Sequence, residues 1–402
     1  MTLTPRGRSV LALGLVVYVA AWAFGSKPLY PVAAGLLVVS VVAWAWVHLA
    51  NGTYRIDRAS TGAEHVEGDD VPVSVTAVPG GLVAPAVAFL AESVGPLGEQ
   101  RRIMRRRGRR LHTAYTLERL RRGRYAFTGS RIEIADPFGL QQIVIALAAP
   151  GSLLVYPRTV TLARLFSEAG AHGLDGRRLL LRRPTGYDLH SVREYTQGES
   201  LRNVHWRSTA RRGELMVKEL EDAPRDEIAV LLDASAESAV GESFDVQVRA
   251  AASMLEAFAS RCRRAVLVVD AARRNEQRVD NAAEGRRRAL ELLAAVEPTG
   301  HGSLASVLAD QASSTARALE LVVVTARLDA AFVERMVERV AGRRKASIVY
   351  VDAPTFAGAS AQRLPALLRL HAAGVPVAVV RAGDDLRAVL EGETGMRAVA
   401  HA

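Results

Sequence analysis

Charged and aromatic side chains are concentrated in residues 186–221, and their types define the chemistry available there. Arginine forks pair with carboxylates while aromatic rings supply dry packing area, so this composition favours a hydrogen-bonded polar seam. A structural ion-pair network between two neighbouring domains is the simpler interpretation of the same residues. The side chains concerned are Arg193, Glu194, Tyr195, Glu199, Arg202, His205, Trp206, Arg207, Arg211, Arg212, Glu214 and Lys218.

A short helix followed by a strand is expected to position these side chains. Ser200 is a favourable N-cap and Gly213 is a natural residue just past a helix end, so we predict a helix over residues 201–212. After it, Leu215 and Val217 alternate with their neighbours, which is typical of a half-buried strand.

Signatures of catalysis are mostly absent from the chain. It contains no Gly-x-x-x-x-Gly-Lys-Ser/Thr phosphate loop, no His-Glu-x-x-His zinc helix and no Gly-x-Ser-x-Gly nucleophile elbow. A triad of Ser200, His205 and Glu194 is a catalytic alternative, but Ser200 is better explained as an N-cap. The sequence therefore favours a protein without enzymatic activity, and a hydrolase is the alternative.

The charged segment resembles the signature of a known family. The run Val192-Arg193-Glu194-Tyr195, followed at fixed spacing by glycine, arginine and tryptophan, resembles the signature of the bacterial domain-of-unknown-function 58 family. Glu199 and the pair Val204-His205 stand where that family has Asp and Ile-Asp. The resemblance implies that the signature residues bind a partner or hold the structure together. They are Arg193, Glu194, Tyr195, Gly198, Arg202, Trp206, Arg207, Arg211 and Lys218.

The same resemblance implies a kind of partner. Proteins that resemble this family commonly belong with MoxR-type AAA+ ATPases, which would supply the nucleotide hydrolysis that has no signature here. The expected function is therefore a bacterial membrane-anchored scaffold or adaptor that binds a protein partner of this type.

Composition places the chain among multidomain proteins with membrane segments. With 402 residues and 49% hydrophobic content it is long enough for two substantial cores. Its net charge of +10 suits anionic lipid, nucleic acid or an acidic protein. A single cysteine, Cys262, excludes an internal disulfide and any cysteine-based zinc cluster, so we expect the soluble part to be cytoplasmic.

Two uncharged stretches predict a transmembrane helical hairpin over residues 1–52. Residues 10–24 are near the lower limit for a span and residues 31–50 have comfortable length. A secretory signal peptide is the rival for the first stretch, but a second span follows at once. Arg6 and Arg8 precede the hairpin while Arg55 and Arg58 follow it, and Lys27 alone lies in its turn. The positive-inside rule then predicts an inner or plasma membrane protein with two helices and cytoplasmic soluble domains.

A β-sandwich is predicted for residues 53–158. Val71, Val73 and Val75 alternate with polar or small residues, as do Ile132 and Ile134, and Gly and Pro mark the turns. Residues 159–185 contain several glycines and arginines and are predicted to be a connector, followed by the charged signature segment at residues 186–222.

Arginines dominate residues 101–124, the run that begins with Arg101 and ends with Arg124. It holds eleven arginines and a single acid, Glu118. A solvated face is the simpler interpretation, and contact with anionic lipid is the sharper one, because each basic residue near an anionic leaflet contributes about 1 kcal/mol. The run has few aromatic residues to stack bases, so nucleic acid is disfavoured. A basic nucleic-acid-binding membrane protein remains the weaker alternative.

Residues 223–402 alternate strand and helix patterns. Apolar runs predict strands at residues 228–233, 265–270, 319–325, 347–352 and 375–381, with helical stripes between them. These predict a doubly wound α/β domain. The fold class expected for the chain is thus α+β multidomain, with a transmembrane hairpin, a β-sandwich and this domain.

The first strand of this domain ends in a motif that resembles the opening of a von Willebrand factor A domain. Asp233-Ala234-Ser235-Ala236-Glu237-Ser238 matches the family's Asp-x-Ser-x-Ser at its first two places. The resemblance implies a Mg²⁺ site formed by Asp233, Ser235 and Ser303, because carboxylate and hydroxyl oxygens suit this cation. Ala326 and Arg327 stand where a further acid is expected. The alternatives are that Asp233 and Ser235 cap a turn, or that a metal at Asp233 serves a hydrolase.

Overall fold

The computed structural model describes residues 2–60, 62, 64–80, 83, 85, 87–169, 189–195, 204–220, 228–261, 264–279, 283–361 and 364–393. The chain divides into two compact units. One is Met1–Arg158 with Leu290–Val296, and the other is Thr159–Ala289 with Glu297–Ala402. The finer domain limits at residues 52, 185 and 222 stay predictions. Cys262 and most of the predicted connector lie outside the described residues.

Two long apolar helices open the first unit. Helix α1 spans Pro5–Ala23 and helix α2 spans Leu29–Ala50, and both are long and apolar enough to cross a membrane. The Thr4 side chain caps α1 by accepting a hydrogen bond from the Gly7 amide at 3.0 Å. Many of the apolar side chains point outward, including Val16 at 63% exposure and Val41 at 61%. The predicted pair of apolar helices is confirmed, and such an outward apolar surface is typical of helices that face lipid.

The rest of the first unit is a ten-stranded sheet in which most neighbours are antiparallel. Its order is β1-β9-β8-β5-β6-β7-β4-β2, with β10 paired to β8 and β3. Strand β8 is long enough to pair with β5, β9 and β10, so it joins the strands into one hydrogen-bonded sheet where two separate sheets of a sandwich were predicted. The strands are β1 (Thr2–Leu3), β2 (Tyr54–Ser60), β3 (His65–Val66), β4 (Val71–Pro79), β5 (Val87–Val94), β6 (Glu99–Arg107), β7 (Arg110–Leu117), β8 (Gly123–Ala135), β9 (Gln141–Ala146) and β10 (Gly151–Tyr156).

This sheet encloses a single apolar core. The predicted alternation is confirmed, because Val71, Val73 and Val75 are buried while Pro72 between them is exposed. The same cluster includes Val47 and Ala50 from the last turn of α2. The end of α2 is therefore a structural part of the sheet core.

The second unit is built on a six-stranded sheet ordered β15-β14-β13-β16-β17-β18. All neighbours are parallel except β14 and β15, which pair antiparallel. The strands are β13 (Ile228–Asp233), β14 (Ala265–Asp270), β15 (Arg274–Val279), β16 (Glu320–Thr325), β17 (Lys345–Val351) and β18 (Val377–Val380). The five predicted strands are confirmed, and β15 was missed because its side chains are almost all polar.

Helices and a small hairpin complete this unit. Strands β11 (Leu189–Glu194) and β12 (Met216–Leu220) form a two-stranded antiparallel sheet. The helices are α3 (Phe166–Ala169), α4 (Trp206–Arg212), α5 (Ser243–Ser260), α6 (Ala283–Ala295), α7 (Leu304–Ala309), α8 (Ser314–Arg317), α9 (Ala330–Ala341), α10 (Pro365–Ala372) and α11 (Leu386–Leu390). Helix α6 begins in this unit, and its residues from Leu290 onward belong to the first unit. Helix α5 contributes a face of fully buried side chains such as Val248 and Phe258.

Candidate functional site

Part of the predicted signature segment folds as a strand, a helix and a returning strand. Strand β11 pairs with β12 so that Arg193 lies opposite Val217 and Glu194 opposite Met216. Helix α4 precedes β12 and ends at Gly213, whose φ of 74° is the left-handed conformation that glycine adopts without strain. The predicted glycine stop is confirmed. Gly198 and Arg202 lie outside the described residues, as do the side chains of Arg193 and Lys218.

Helix α4 begins later than the sequence predicts. Val204 is buried and forms an antiparallel bridge with Val217, so the backbone there is extended. The helix therefore starts at Trp206, and His205 is its cap, with Nδ1 accepting a hydrogen bond from the Ser208 amide at 3.3 Å. The prediction that the helix continues through Val204 and His205 is wrong, because pairing with β12 takes precedence over local helix propensity. Ser200, the expected cap, lies outside the described residues.

The strand after α4 also differs in its buried face. Met216 is 1% exposed and Val217 is 4% exposed, whereas Leu215 is 41% exposed. The predicted pairing of Leu215 with Val217 on one buried face is therefore wrong. Consecutive side chains of a strand point to opposite faces, so the burial of both Met216 and Val217 means that both faces of β12 are covered at this point.

The α4 surface, defined as Trp206, Arg207, Ala210, Arg211 and Arg212, is exposed. The Trp206 side chain is 67% exposed, and none of the residues of the helix is buried. Nearby, Glu194 is exposed and Tyr195 is half-buried. The tryptophan is thus presented outward beside arginines, where the sequence had indicated an aromatic ring packed in a dry seam.

His205 has a structural role in this geometry. Its Nδ1 lies 2.8 Å from the Ser208 hydroxyl as well as accepting the Ser208 amide. The hydrolase alternative needs His205 to activate Ser200, which lies outside the described residues, so the triad stays a prediction.

Asp233 ends strand β13 at the edge where ligands bind in open α/β sheets. Its carboxylate is 1% exposed and accepts a hydrogen bond from the Thr325 hydroxyl at 2.7 Å. Arg327 binds both carboxylate oxygens, with Nε 3.2 Å from Oδ2 and Nη2 3.2 Å from Oδ1. The same guanidinium donates to the Gly302 carbonyl at 2.9 Å. Asp233 is therefore held in a two-pronged arginine–carboxylate pair of the geometrically specific kind.

The other two predicted metal ligands serve as local caps. The Ser235 hydroxyl accepts from the Glu237 amide at 3.3 Å, and the Ser303 hydroxyl accepts from the Ala305 amide at 3.2 Å to cap α7. These residues do not fit a divalent cation in this arrangement, because a guanidinium already holds both oxygens of the carboxylate. No cluster of three or more His, Cys, Asp or Glu side chains able to hold a metal occurs in the described part of the chain.

Sequence reasoning missed Arg327 as the partner of Asp233. The available signal was an arginine two residues past the end of a buried strand, where the resembling family has an acid. With an arginine at this position, the Asp233 carboxylate is neutralised by the protein itself, and a bound cation is not needed to balance its charge.

Two further acids lie at this edge of the sheet. Asp270 is the last residue of β14, and Asp352 directly follows β17. Burial raises the pKa of Asp270 above its usual range, an effect that the nearby Arg274 opposes and the charge on Asp233 reinforces. Burial also raises the pKa of Asp352, against the effect of Arg381. Both carboxylates are thus less stable when ionised than they are in water.

Asp270→Asn is expected to stabilise the protein at neutral pH. The folded state raises the pKa of Asp270. The contribution of this side chain to the stability of the fold is therefore fully present below its pKa in the unfolded chain, and it is lost as the pH rises through its pKa in the folded protein. The amide carries no charge to bury, so the variant should unfold at a higher temperature than the wild type at pH 7, with the gain disappearing in acid. Calorimetry across this pH range measures the difference; an equal shift at every pH would contradict the assignment.

The fold and this edge define a mixed α/β protein with two apolar N-terminal helices, two sheets of six or more strands, and a carboxylate neutralised by arginine. Residues 191–367 match the family described as "Protein of unknown function DUF58", and this match supports that family for the chain. The matched region contains α4, β12 and most of the second unit.

One curated relative is "Uncharacterized protein YeaD" of Bacillus subtilis (strain 168). It is 26% identical over 149 residues, which are 37% of this chain and 37% of the relative. The solved structure of Cwp6 from Clostridium difficile aligns with 85% of this chain and 55% of its own, at 8% identity and a TM-score of 0.17. A TM-score this low carries no conclusion about the fold.

Proposed function

We propose that this protein is a membrane-anchored scaffold that binds a protein partner through the α4 surface and the second unit. The observation that carries the proposal is the exposure of Trp206, whose side chain is 67% exposed. It lies on helix α4, which also carries Arg207 and Arg211. Tryptophan and arginine are enriched among the residues that dominate binding energy at protein interfaces. An outward tryptophan beside arginines suits an acidic partner surface that has an apolar pocket.

The partner we propose is a MoxR-type AAA+ ATPase, on the strength of the family resemblance. Such a partner would bring nucleotide hydrolysis to a chain that lacks a phosphate loop. The scaffold would contribute position at the membrane and a charged surface.

We also propose that the second unit is a von Willebrand factor A-like domain. The order of its sheet, with the first strand central and one antiparallel edge strand, supports this. Asp233 and Ser235 at the carboxyl end of that central strand support it as well. In this domain the guanidinium of Arg327 would neutralise Asp233 in place of a bound Mg²⁺. Partner capture is therefore expected to proceed without Mg²⁺ and to be unaffected by a chelator.

Anchoring in a bacterial inner or plasma membrane is the third part of the proposal. It is supported by the outward apolar faces of α1 and α2. The predicted cytoplasmic orientation stays a proposal based on flanking arginines. Contact with anionic lipid is supported by the exposed side chains of the β6–β7 hairpin, where Arg105, Arg107 and Arg110 all face solvent.

Trp206→Ala tests the scaffold proposal. Because the side chain is exposed, the free energy of unfolding should change by no more than about 0.5 kcal/mol. Capture should weaken at least about tenfold, the loss expected at a residue that contributes strongly to binding. The measurement is interferometry with the full chain in nanodiscs and a purified MoxR-type ATPase, with chelator and with Mg²⁺.

Val87→Ala is the matched control for Trp206→Ala. Val87 is also an exposed apolar residue, at 47%, but it lies on β5 in the first unit, outside the proposed binding surface. Equal capture by the wild type and by Trp206→Ala would overturn the role of the α4 surface, and so would equal weakening in both variants.

A further inference from the structure

A cavity of about 820 Å³ lies in the first unit between two strands that are not hydrogen-bonded to each other. Among the described strands, β2 pairs only with β4, while β10 pairs with β8 and β3. The residues that line the cavity include alternate positions of β2, namely Tyr54, Ile56 and Arg58, together with Phe127 and Gly151. The cavity is therefore a gap in the sheet whose lining contains both apolar and cationic residues.

Arg58 extends into this gap and is held from several directions. Its Nη2 donates to Glu92 Oε2 at 2.5 Å, and its guanidinium carbon lies 4.3 Å from the centre of the Phe127 ring. Gly151 makes room for it, because a Cβ at that position would lie 2.7 Å from Arg58 Nη1. The position of the guanidinium is thus built into the fold.

Part of the donor capacity of Arg58 is unused. Its Nη1 makes one long hydrogen bond of 3.4 Å to the Ala149 carbonyl, and its buried Nε has no acceptor among the described residues. A ligand oxygen that accepts from Nη1 would give this donor a shorter partner than the Ala149 carbonyl.

The lining of the cavity favours an anion. It contains two arginines, Arg55 and Arg58, and neither Asp nor Glu among the described residues. Glu92 lies outside the lining and is 1% exposed, held by Arg58 and by the Tyr115 hydroxyl. Hydroxyl donors also line the cavity, at Thr53, Ser60 and Ser152. Guanidinium and hydroxyl groups together are a donor set that suits a phosphate.

The cavity begins next to the end of the second apolar helix. Thr53, which lines it, comes three positions after the last residue of α2, and the Tyr54 hydroxyl donates to the Ala50 carbonyl at 3.0 Å. If α2 crosses the bilayer, as the proposed anchoring requires, this end lies at the depth of the headgroups. Apolar residues such as Ile56 and Leu153 also line the cavity and would suit the apolar part of a lipid.

We propose that this cavity binds the phosphate of an anionic phospholipid headgroup, with Arg58 as the principal donor. The inference rests on the proposed membrane anchoring but not on partner capture. It adds a specific lipid site to the general attraction of the arginine-rich β6–β7 hairpin.

Native mass spectrometry of the detergent-purified full chain tests this proposal, with phosphatidylglycerol and phosphatidylcholine offered in equal amounts. We expect one phosphatidylglycerol retained per chain in preference to phosphatidylcholine. Arg58→Leu combined with Glu92→Leu removes both charges without leaving a buried carboxylate unpaired. This double variant should retain phosphatidylglycerol at least about tenfold more weakly. Circular dichroism confirms that it folds.

Ser152→Trp keeps the ion pair and fills the cavity from an exposed position, so it should lower retention as well. Arg105→Gln with Arg107→Gln reduces the charge of the β6–β7 hairpin and should leave the single lipid in place. Retention that survives both cavity variants, or that is lost in the hairpin variant alone, would overturn the proposal.

Competition with inorganic phosphate distinguishes the two sources of a bound phosphate group, a lipid headgroup and free phosphate. Displacement of bound phosphatidylglycerol by phosphate only at high concentration supports a lipid site, whereas tight phosphate binding with no lipid preference overturns the lipid source. A chain that retains phosphatidylglycerol but captures no ATPase leaves this inference intact and contradicts the proposed scaffold.

Discussion

Arg327→Met is expected to destabilise the second unit by about 3–5 kcal/mol, the cost of leaving a buried charge without its partner. Asp233 is 1% exposed, and Arg327 contacts both of its oxygens. Only the Thr325 hydroxyl would remain as a described side-chain donor to this carboxylate. For a unit of this size the change corresponds to a melting temperature lower by about 6–20 °C, measurable by calorimetry.

Two control variants isolate the pair. Asp233→Asn combined with Arg327→Met removes both charges, so it should recover much of the stability that Arg327→Met alone loses. Arg335→Met breaks a pair with Glu338 in which both side chains are at least half exposed, and it should change the stability by no more than about 0.5 kcal/mol. If Arg327→Met and Arg335→Met melt at the same temperature, the buried pair does not stabilise the unit.

Magnesium provides a second test at the same residues. The wild type should show no change in melting temperature when Mg²⁺ is added, because the arginine holds the carboxylate. A clear increase for the wild type would mean that the cation displaces Arg327, and the conclusion that these residues do not fit a divalent cation would be wrong.

A chain that begins at residue 45 is expected to move almost completely from the membrane pellet to the supernatant. It lacks all of α1 and most of α2, whose outward side chains include Val16, Val38 and Val41 at about 60% exposure. The cut is placed at residue 45 because Trp46, Val47 and Ala50 pack against the sheet core, so removal of residues 1–52 would also damage the first unit. Fractionation at low and at high salt measures the result.

The effect of salt on the sedimentation of this shortened chain identifies which feature holds it at the membrane. Release of the shortened chain from the membrane pellet by high salt would show that the β6–β7 hairpin is sufficient for membrane contact, since salt screens the attraction between exposed arginines and anionic lipid. A pellet that persists in high salt although the chain melts normally would contradict anchoring by α1 and α2.

The sequence by itself determined the elements whose signal is local. The five predicted strands of the second unit follow from short apolar runs, the burial of Val71 and Val73 from alternation, and the two apolar helices from long uncharged stretches, and all are present. The glycine stop at Gly213 follows from one residue's conformational freedom. Strand β15 was missed because an edge strand does not need an apolar face.

Only the tertiary structure decided which polar groups meet. Asp233 and Arg327 are 94 positions apart and Arg58 and Glu92 are 34 apart, so no local pattern connects the members of either pair. Their contact depends on which strands are neighbours in the sheets. The exposure of Trp206 was decided in the same way, because Val204 pairs with Val217 and delays the start of α4. Burial and pairing of charged side chains are properties of strand order and packing, which sequence periodicity does not specify.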